Sequence, residues 1–318
     1  MSMNDAAVAA SGERRANRAP RRMDAAEIER VVGLPVENAE RIDAVEALTT
    51  LEVVDDRCLL FRDRFAEDDI AAINAFAGRS ALFALPAEYR GRVEVAAIFL
   101  DQPREAFIAI AAALFDYYGT YWQGFEDAGA AQQRNPGAIL MPGCFVHPTA
   151  RIGEGSMIFP GVVVGPRSRI GRNSMIKSNS VIGLTGFGIH RAADKTNLHL
   201  PHVGGVVMGD DVELGALCTV CAGTVHPTTV ADNVKTDDHV HIAHNCAIGR
   251  GAQLTAHAEL SGSVTVGAHA FLGPNCSIGN GTTIGEGAIV GIASAVLKDV
   301  QPHKLVVGNP ARVLRDLP

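Results

Sequence analysis

The sequence predicts a triangular parallel β-helix built from six-residue sides, preceded by a small α/β domain. Three observations carry that expectation. First, the 318-residue chain changes composition near residue 140: 13 of its 17 aromatic residues lie before that point, and 25 of its 33 glycines lie from it onward. Second, from Leu140 to Phe187, Met208 to Val225 and Val230 to Gln301 the chain divides into 23 hexapeptides. Third, the hexapeptides keep one pattern: the first residue is aliphatic in all but one, where Thr236 stands, and the fifth is small in every one. A six-residue side with one inward aliphatic and one small neighbour builds a triangular coil, so three sides, or 18 residues, make a turn. Gly, Asn and Asp at positions two to four allow tight corners, some at φ > 0. Coils stacked at strand spacing, about 4.8 Å apart, bury a continuous aliphatic column that no single coil could bury alone.

The elements follow in chain order. Residues 1–22 carry five Arg against Asp5 and Glu13 and no apolar core segment; they read as a disordered basic tail and not as a secretory signal. Residues 23–123 form the α/β domain. Within it DAAEIERVVG and PREAFIAIAAALFDYYG have helical periodicity, the second with Pro103 at its start. TTLEVVDDRCLLF and RVEVAAIFL have the β-branched and apolar character of strands. Residues 124–139, GFEDAGAAQQRNPGAI, read as a linker. The prism spans 140–301, with a loop insertion at 188–207 and four extra residues at His226–Thr229. Such insertions project from one face, often the binding face. Residues 302–318 read as an extended piece and one helical turn.

Charge and composition exclude some classes. Lys+Arg of 28 against Asp+Glu of 35 gives −7, and the chain without its basic tail is more acidic still, so a general nucleic-acid binder is not expected. No apolar run reaches about 18 residues, so no membrane span is expected. Cys144, Cys218, Cys246 and Cys276 all fall on the small fifth position, where a thiol packs as a small hydrophobe. Reduced thiols fit a cytoplasmic location. His239 and His257 are 18 residues apart and so stack one coil above the other.

One long segment carries more than the repeat. GDDVELGALCTVCAGTVHPTTVADNVKTDDHVHIAHNCAIG, together with VIGLTGFGI and LPHVGGVV, resembles the UDP-3-O-acylglucosamine N-acyltransferase family, hexapeptide-repeat enzymes that N-acylate a lipid A precursor. In the first half, LLF and AAIFLDQPREAFIAIAAALF parallel that family's nucleotide-contacting domain, so the similarity covers most of residues 30–296. The resemblance implies a left-handed helix and a homotrimer with clefts between neighbours. It implies acyl transfer from a pantetheine thioester, on acyl carrier protein or coenzyme A, to the amine of an amino sugar, with no bound cofactor. It implies that His244 of IAHN is the catalytic base, since an imidazole can take a proton from an attacking amine. Gly262, one coil on, then supplies an oxyanion-binding amide. Asn245 orients the site, and Phe187, His239, His257 and Phe61 contact substrate.

Departures from the family pattern shape the alternatives. Glu67 stands where the family has a uracil-stacking Tyr, with Phe65 a shifted substitute, and Gly281 stands at its second active-site His. The tail VVGNPARVLR resembles that of CoA-dependent sugar acetyltransferases, in place of helices that meet acyl carrier protein. An acyl-CoA-dependent sugar N-acetyltransferase of glycan or secondary-metabolite synthesis is therefore an alternative. A non-catalytic scaffold that binds a sugar nucleotide is another. A zinc enzyme like the γ-class carbonic anhydrases, which are built on a similar prism, is a third: His239-x4-His244 has the spacing of two of their zinc ligands, though their third ligand lies 36 residues upstream of the first, where this chain has Val203.

Overall fold

The computed structural model describes residues 17–53 and 55–318. Of the tail read as disordered, residues 1–16 lie outside the described set. Residues 17–22 are ordered: they begin strand β1 (Asn17–Met23), which pairs antiparallel with β2 (Val45–Leu48). Arg18 bridges Glu46 and Asp55, and Arg22 bridges Asp43, so the arginines that read as a solvated tail hold a strand against an acidic rim.

The chain forms two compact units. The N-terminal unit comprises the described residues from Asn17 to Trp122 together with Gly188–Pro201. Its sheet runs β1-β2-β3-β4-β5, with β3 (Cys58–Phe61), β4 (Ala81–Leu85) and β5 (Ala96–Phe99) parallel to β2. Helix α1 (Ala25–Val32) starts at a capping box: Asp24 accepts from Glu27 N at 2.8 Å, and Glu27 accepts from Asp24 N at 3.2 Å. Gly33 at φ +71° ends it. Helix α2 is Asp69–Asn74. Helix α3 (Pro103–Phe115) has Pro at its first position and stops at Asp116, φ +48°. The segment 49–61, which carries strand signals, is strand only over β3, and its described residues before Cys58 form no strand. Thr49 Oγ1 donates to Val53 O, Asp55 accepts from Asp56 N, and Arg57 takes φ +54°; local side-chain bonds outcompete the β-branched propensity.

Gly188–Pro201 is not a loose loop. Ile189–Arg191 and Asn197–His199 pair as an antiparallel hairpin. His199 stacks on Tyr117, its carbonyl accepts from the Tyr118 hydroxyl at 3.4 Å, and His190 faces Glu105 at 3.6 Å. Burial pulls the His199 pKa below its ordinary value.

The prism unit holds Gln123–Phe187 and His202–Pro318. Two-residue strands stack into three parallel sheets. Register follows the 18-residue turn: Met157 pairs with Met175, Val163 with Val181, Arg151 with Arg169. The two insertions appear as jumps in it. Arg169 pairs with Val207, Val207 with Thr229, and then Thr229 with Ala247. The inward residues Ile158, Ile176, Leu214, Leu254, Leu272 and Val290 form one buried column. Thr236 interrupts it yet is satisfied: its hydroxyl accepts from Gly215 N at 2.9 Å. The fifth positions link coil to coil as well as fill space. Ser180 Oγ donates to Gly215 O at 2.7 Å, and Cys218 and Cys246 use their thiols the same way, toward Asp237 O and Ser261 O. Burial pushes the thiols of Cys246 and Cys276 up to about 12.

Both ends of the prism differ from their sequence reading. Residues 124–139 are a cap and not a linker. Glu126–Asp127 pairs antiparallel with Phe145–Val146, and a helix over Ala128–Arg134 buries Ala131 in the prism core. Asn135 Oδ1 then accepts from Ile152 N at 2.9 Å. An open coil end exposes sheet edges, and this segment covers them. At the other end, Lys304–Val307 continues a sheet and folds back on Arg312–Asp316 as a hairpin, with no helical turn. Among the described residues no helix is long and apolar enough to cross a membrane.

Candidate functional site

The prism unit brings His244 and Gly262 together. His244 follows the strand His241–Ile242 at a corner, and Gly262 occupies the equivalent place one coil on, since Ile242 pairs with Leu260. A β-carbon on Gly262 would lie 2.7 Å from both Nε2 and Cε1 of His244. No side chain fits between them, so the glycine sets the backbone directly against the imidazole. Gly262 O accepts from Gly281 N at 2.9 Å, whereas among the described residues its own N–H donates to no group. Asn280, the next corner residue, directs Oδ1 toward the same space.

The other side of the ring is closed. A β-carbon on Gly186 would stand 3.1 Å from His244 Nδ1 and 3.3 Å from Cys221 Cβ. Nδ1 is buried and has no hydrogen-bond partner among the described residues. His202, which is 0% exposed, meets His244 nearly perpendicularly, 4.9 Å between centroids and 76° between planes. Its Nδ1 lies 3.1 Å from Thr185 Oγ1. Burial, and secondarily the nearby His241, hold the His244 pKa below its ordinary value. The ring is therefore neutral at pH 7, with a nitrogen free to accept a proton. Cys221, beside it, is pushed up to about 11 by burial and stays a thiol.

The remaining sequence-predicted residues lie elsewhere or are engaged otherwise. Asn245 takes φ +60°, and its Oδ1 accepts from Thr224 N and Thr224 Oγ1 at 2.8 and 3.1 Å, while its N donates to Thr228 Oγ1 at 2.9 Å. Its side chain thus holds Thr224, just ahead of the four-residue insertion, and its backbone holds Thr228 within that insertion, so the bonds it makes are to this segment and not to the imidazole. His239 and His257 stack at 4.7 Å and 7°, one coil apart, but on the corner before that of His244. The spacing His239-x4-His244 thus spans two corners, and among the described residues no three His, Cys, Asp or Glu side chains converge to hold a metal. Phe187 is 87% exposed, two residues before the chain leaves for the hairpin. In the N-terminal unit Phe61 packs on Phe107 at 4.5 Å beneath the Arg104 guanidinium. Glu67 is ion-paired with Arg92, which in turn lies over Phe65. Sequence reasoning missed Gly186, His202, Cys221 and Asn280 at the site; the LPHVGGVV segment held the signal for His202.

Geometry of this kind, a coiled prism with an imidazole at one corner and a glycine above it, defines a hexapeptide-repeat protein, and residues 149–184 match the family described as bacterial transferase hexapeptide (six repeats). Among solved structures, UDP-N-acetylglucosamine acyltransferase from Campylobacter jejuni is similar, with a TM-score of 0.51 and 27% identity over 57% of this chain and 71% of that one. The Francisella novicida UDP-N-acetylglucosamine acyltransferase aligns with a TM-score of 0.52 and 26% identity, over 57% of this chain and 64% of that one. The fold is a left-handed parallel β-helix preceded by a small α/β domain.

More particularly, the chain resembles UDP-3-O-acylglucosamine N-acyltransferases. The enzyme of that name from Caulobacter vibrioides is 49% identical over 136 residues, 43% of this chain and 40% of the relative. UDP-3-O-acylglucosamine N-acyltransferase 2 of Legionella pneumophila is 47% identical over 135 residues, 42% of this chain and 39% of the relative. The matched stretches span between 24% and 40% of the length of such relatives.

Proposed function

We propose that this protein is an N-acyltransferase that moves an acyl group from a pantetheine thioester to the amine of a nucleotide-linked amino sugar. The observation that carries the reading is the neutral His244 with Nε2 against the Gly262 backbone, the histidine lying in the IAHN segment that resembles the N-acyltransferases. The chemistry needs both features. The neutral amine attacks the thioester carbonyl carbon and a C–N bond forms. His244 Nε2 takes the amine proton, which removes the positive charge from nitrogen as the tetrahedral intermediate develops. The Gly262 N–H donates to the new oxyanion. Collapse breaks the C–S bond, and the proton held on His244 goes to the departing thiolate. The donor brings its own activation, so no resident cofactor or metal enters the step.

Other features support the wider reading. On one prism face Phe145, Val163 and Val181 point outward in register, and on the next Ile139, Met157 and Met175 do so. Arg151 and Arg169 mark the third. In these first coils two faces are apolar and the third is basic, which suits side-by-side packing of three copies about a cyclic axis, and Phe187, His239 and His257 then line a cleft from their own or a neighbouring subunit. Phe61, capped by Arg104, offers a stacking surface for a base. Asn245 acts on the site through the loop that it fastens. The free thiols suit the reducing cytoplasm.

The test is product mass spectrometry with purified protein, a panel of amino sugar nucleotides, and both acyl-CoA and acyl-carrier-protein donors. An N-acylated sugar is the expected product, with a His244→Ala rate lower by about 10²–10⁴-fold. No transfer from any donor, or a His244→Ala protein of full rate, overturns the reading. Preference for short acyl-CoA in direct competition favours a CoA-dependent sugar N-acetyltransferase, the reading that the VVGNPARVLR hairpin supports.

A further inference from the structure

We infer that His202 is the positioning residue of His244, holding its ring by edge-to-face packing where no hydrogen bond does so. The inference rests on the reading of His244 as the base. A general base is useful only if the nitrogen that accepts the proton faces the substrate. The outer torsion of a His side chain is broad and roughly two-fold, so something must stop Nδ1 and Nε2 from exchanging places. In many enzymes a carboxylate or carbonyl on the second nitrogen does this. Here Nδ1 of His244 is buried without a hydrogen-bond partner among the described residues.

What surrounds that nitrogen is packing. The Gly186 backbone closes one side, and the His202 ring stands across the imidazole at 4.9 Å and 76°. His202 is itself fixed. It is wholly buried, and Thr185 Oγ1 lies 3.1 Å from its Nδ1. Thr185 and Gly186 are the last steps before the chain leaves the prism for its hairpin, and His202 is the first residue on return. The base of the excursion is therefore a socket for His244. The titratable groups facing the ring are His202 from the returning segment, Cys221 from the adjacent coil and His241 from its own coil; burial and His241 are what perturb it. Aromatic edge-to-face contact carries orientation as well as energy.

The experiment compares His202→Ala, His202→Gln and Thr185→Val with the wild type. His244 is followed by NMR titration of its ring signal, assigned from the spectrum of His244→Ala, alongside kcat and KM. In His202→Ala, water reaches the freed face, so the His244 midpoint rises toward 6.5 and the acid limb of kcat/KM moves with it. There kcat falls about 10- to 100-fold, the range expected when a reacting group is misplaced by up to an ångström, while KM for the amine changes less than twofold. His202→Gln, which keeps a polar side chain of comparable reach, recovers part of the loss, and Thr185→Val shows a smaller shift in the same direction. If His202→Ala does not fold, the Gln and Val proteins decide the matter. An unmoved His244 titration with unchanged kcat in the folded variants overturns the inference, even if their Tm falls. Absence of acyl transfer by the wild type would sink the functional reading instead, and the titration would still report whether His202 sets the ring.

Discussion

Replacing Gly262 by Ala isolates the contact on which the proposed chemistry depends. The added methyl would lie 2.7 Å from Nε2 and Cε1 of His244 and 3.1 Å from Asn280 Oδ1. Carbon-to-heavy-atom contacts settle near 3.5 Å, so the ring must retreat by roughly 0.8 Å. It has nowhere to go, because Gly186 and His202 close the opposite side. Gly262 does not need a left-handed backbone; in this corner that conformation falls on Ser263, φ +61°. Alanine is therefore penalised for space alone. Overpacking of this kind costs about 1–3 kcal/mol, equivalent to a Tm lower by roughly 2–10 °C. The rate should suffer more than the fold, by about 10²-fold for an ångström-scale misplacement. Gly78→Ala is the control, since a β-carbon there meets nothing within 4 Å and its φ is ordinary; its Tm should hold or rise. The assay pairs amine acylation by mass spectrometry with the His244 NMR titration and differential scanning calorimetry. A Gly262→Ala protein with full rate and an unaltered His244 titration would refute the placement of glycine against base.

Two further outcomes follow from burial and hydrogen bonding. His199 and His244 have native pKa values lowered by burial, so the unfolded chain binds more protons than the native one as pH drops below about 6.5. Their contribution to stability is complete above that value and is lost as pH falls through the lowered native values. Tm should thus decline between pH 7.5 and 5.5, less steeply in His199→Gln, and a flat wild-type profile counts against it. Thr236→Val strands the buried Gly215 N–H that Thr236 Oγ1 now accepts. It should lower Tm despite the better match to the aliphatic column, by the equivalent of about 1–3 kcal/mol for an orphaned donor, and a Tm rise by calorimetry would contradict the accounting.

The prism was legible in the sequence because its physics is local and repeated. Each side of a coil asks the same question of the same six positions, so 23 answers reinforce one another. Thr236 shows the limit of that pattern: it broke the aliphatic rule in sequence, and only the structure reveals the amide that makes a hydroxyl acceptable there. The ends were misread for the opposite reason. Glu126–Arg134 and Arg312–Asp316 carry no repeat signal, since their task is to cover or extend an exposed sheet edge. That need comes from the coil beside them and not from their own composition. In the N-terminal unit the same held for Arg18 and Arg22 of β1, whose acidic partners lie more than twenty residues away in sequence.

At the site, arithmetic worked upward and failed downward. Adding one turn to His244 gives Gly262, and the two are in contact. Subtracting one turn gives His226, which is a false neighbour. The extra residues shift the register so that Val220 pairs with Ile242, which puts Ala222 beneath His244. The excursion that ends at His202 then supplies the wall that no coil residue could, because a corner one turn below presents only a small side chain. Insertions are where the repeat stops dictating structure, and His244 sits beside both of them: Asn245, its neighbour in sequence, bonds the shorter one through Thr228, and His202 closes the longer one. A repeat scaffold that gives every corner the same shape needs such interruptions to make one corner different. The departures from periodicity therefore mark the candidate site better than the periodicity does.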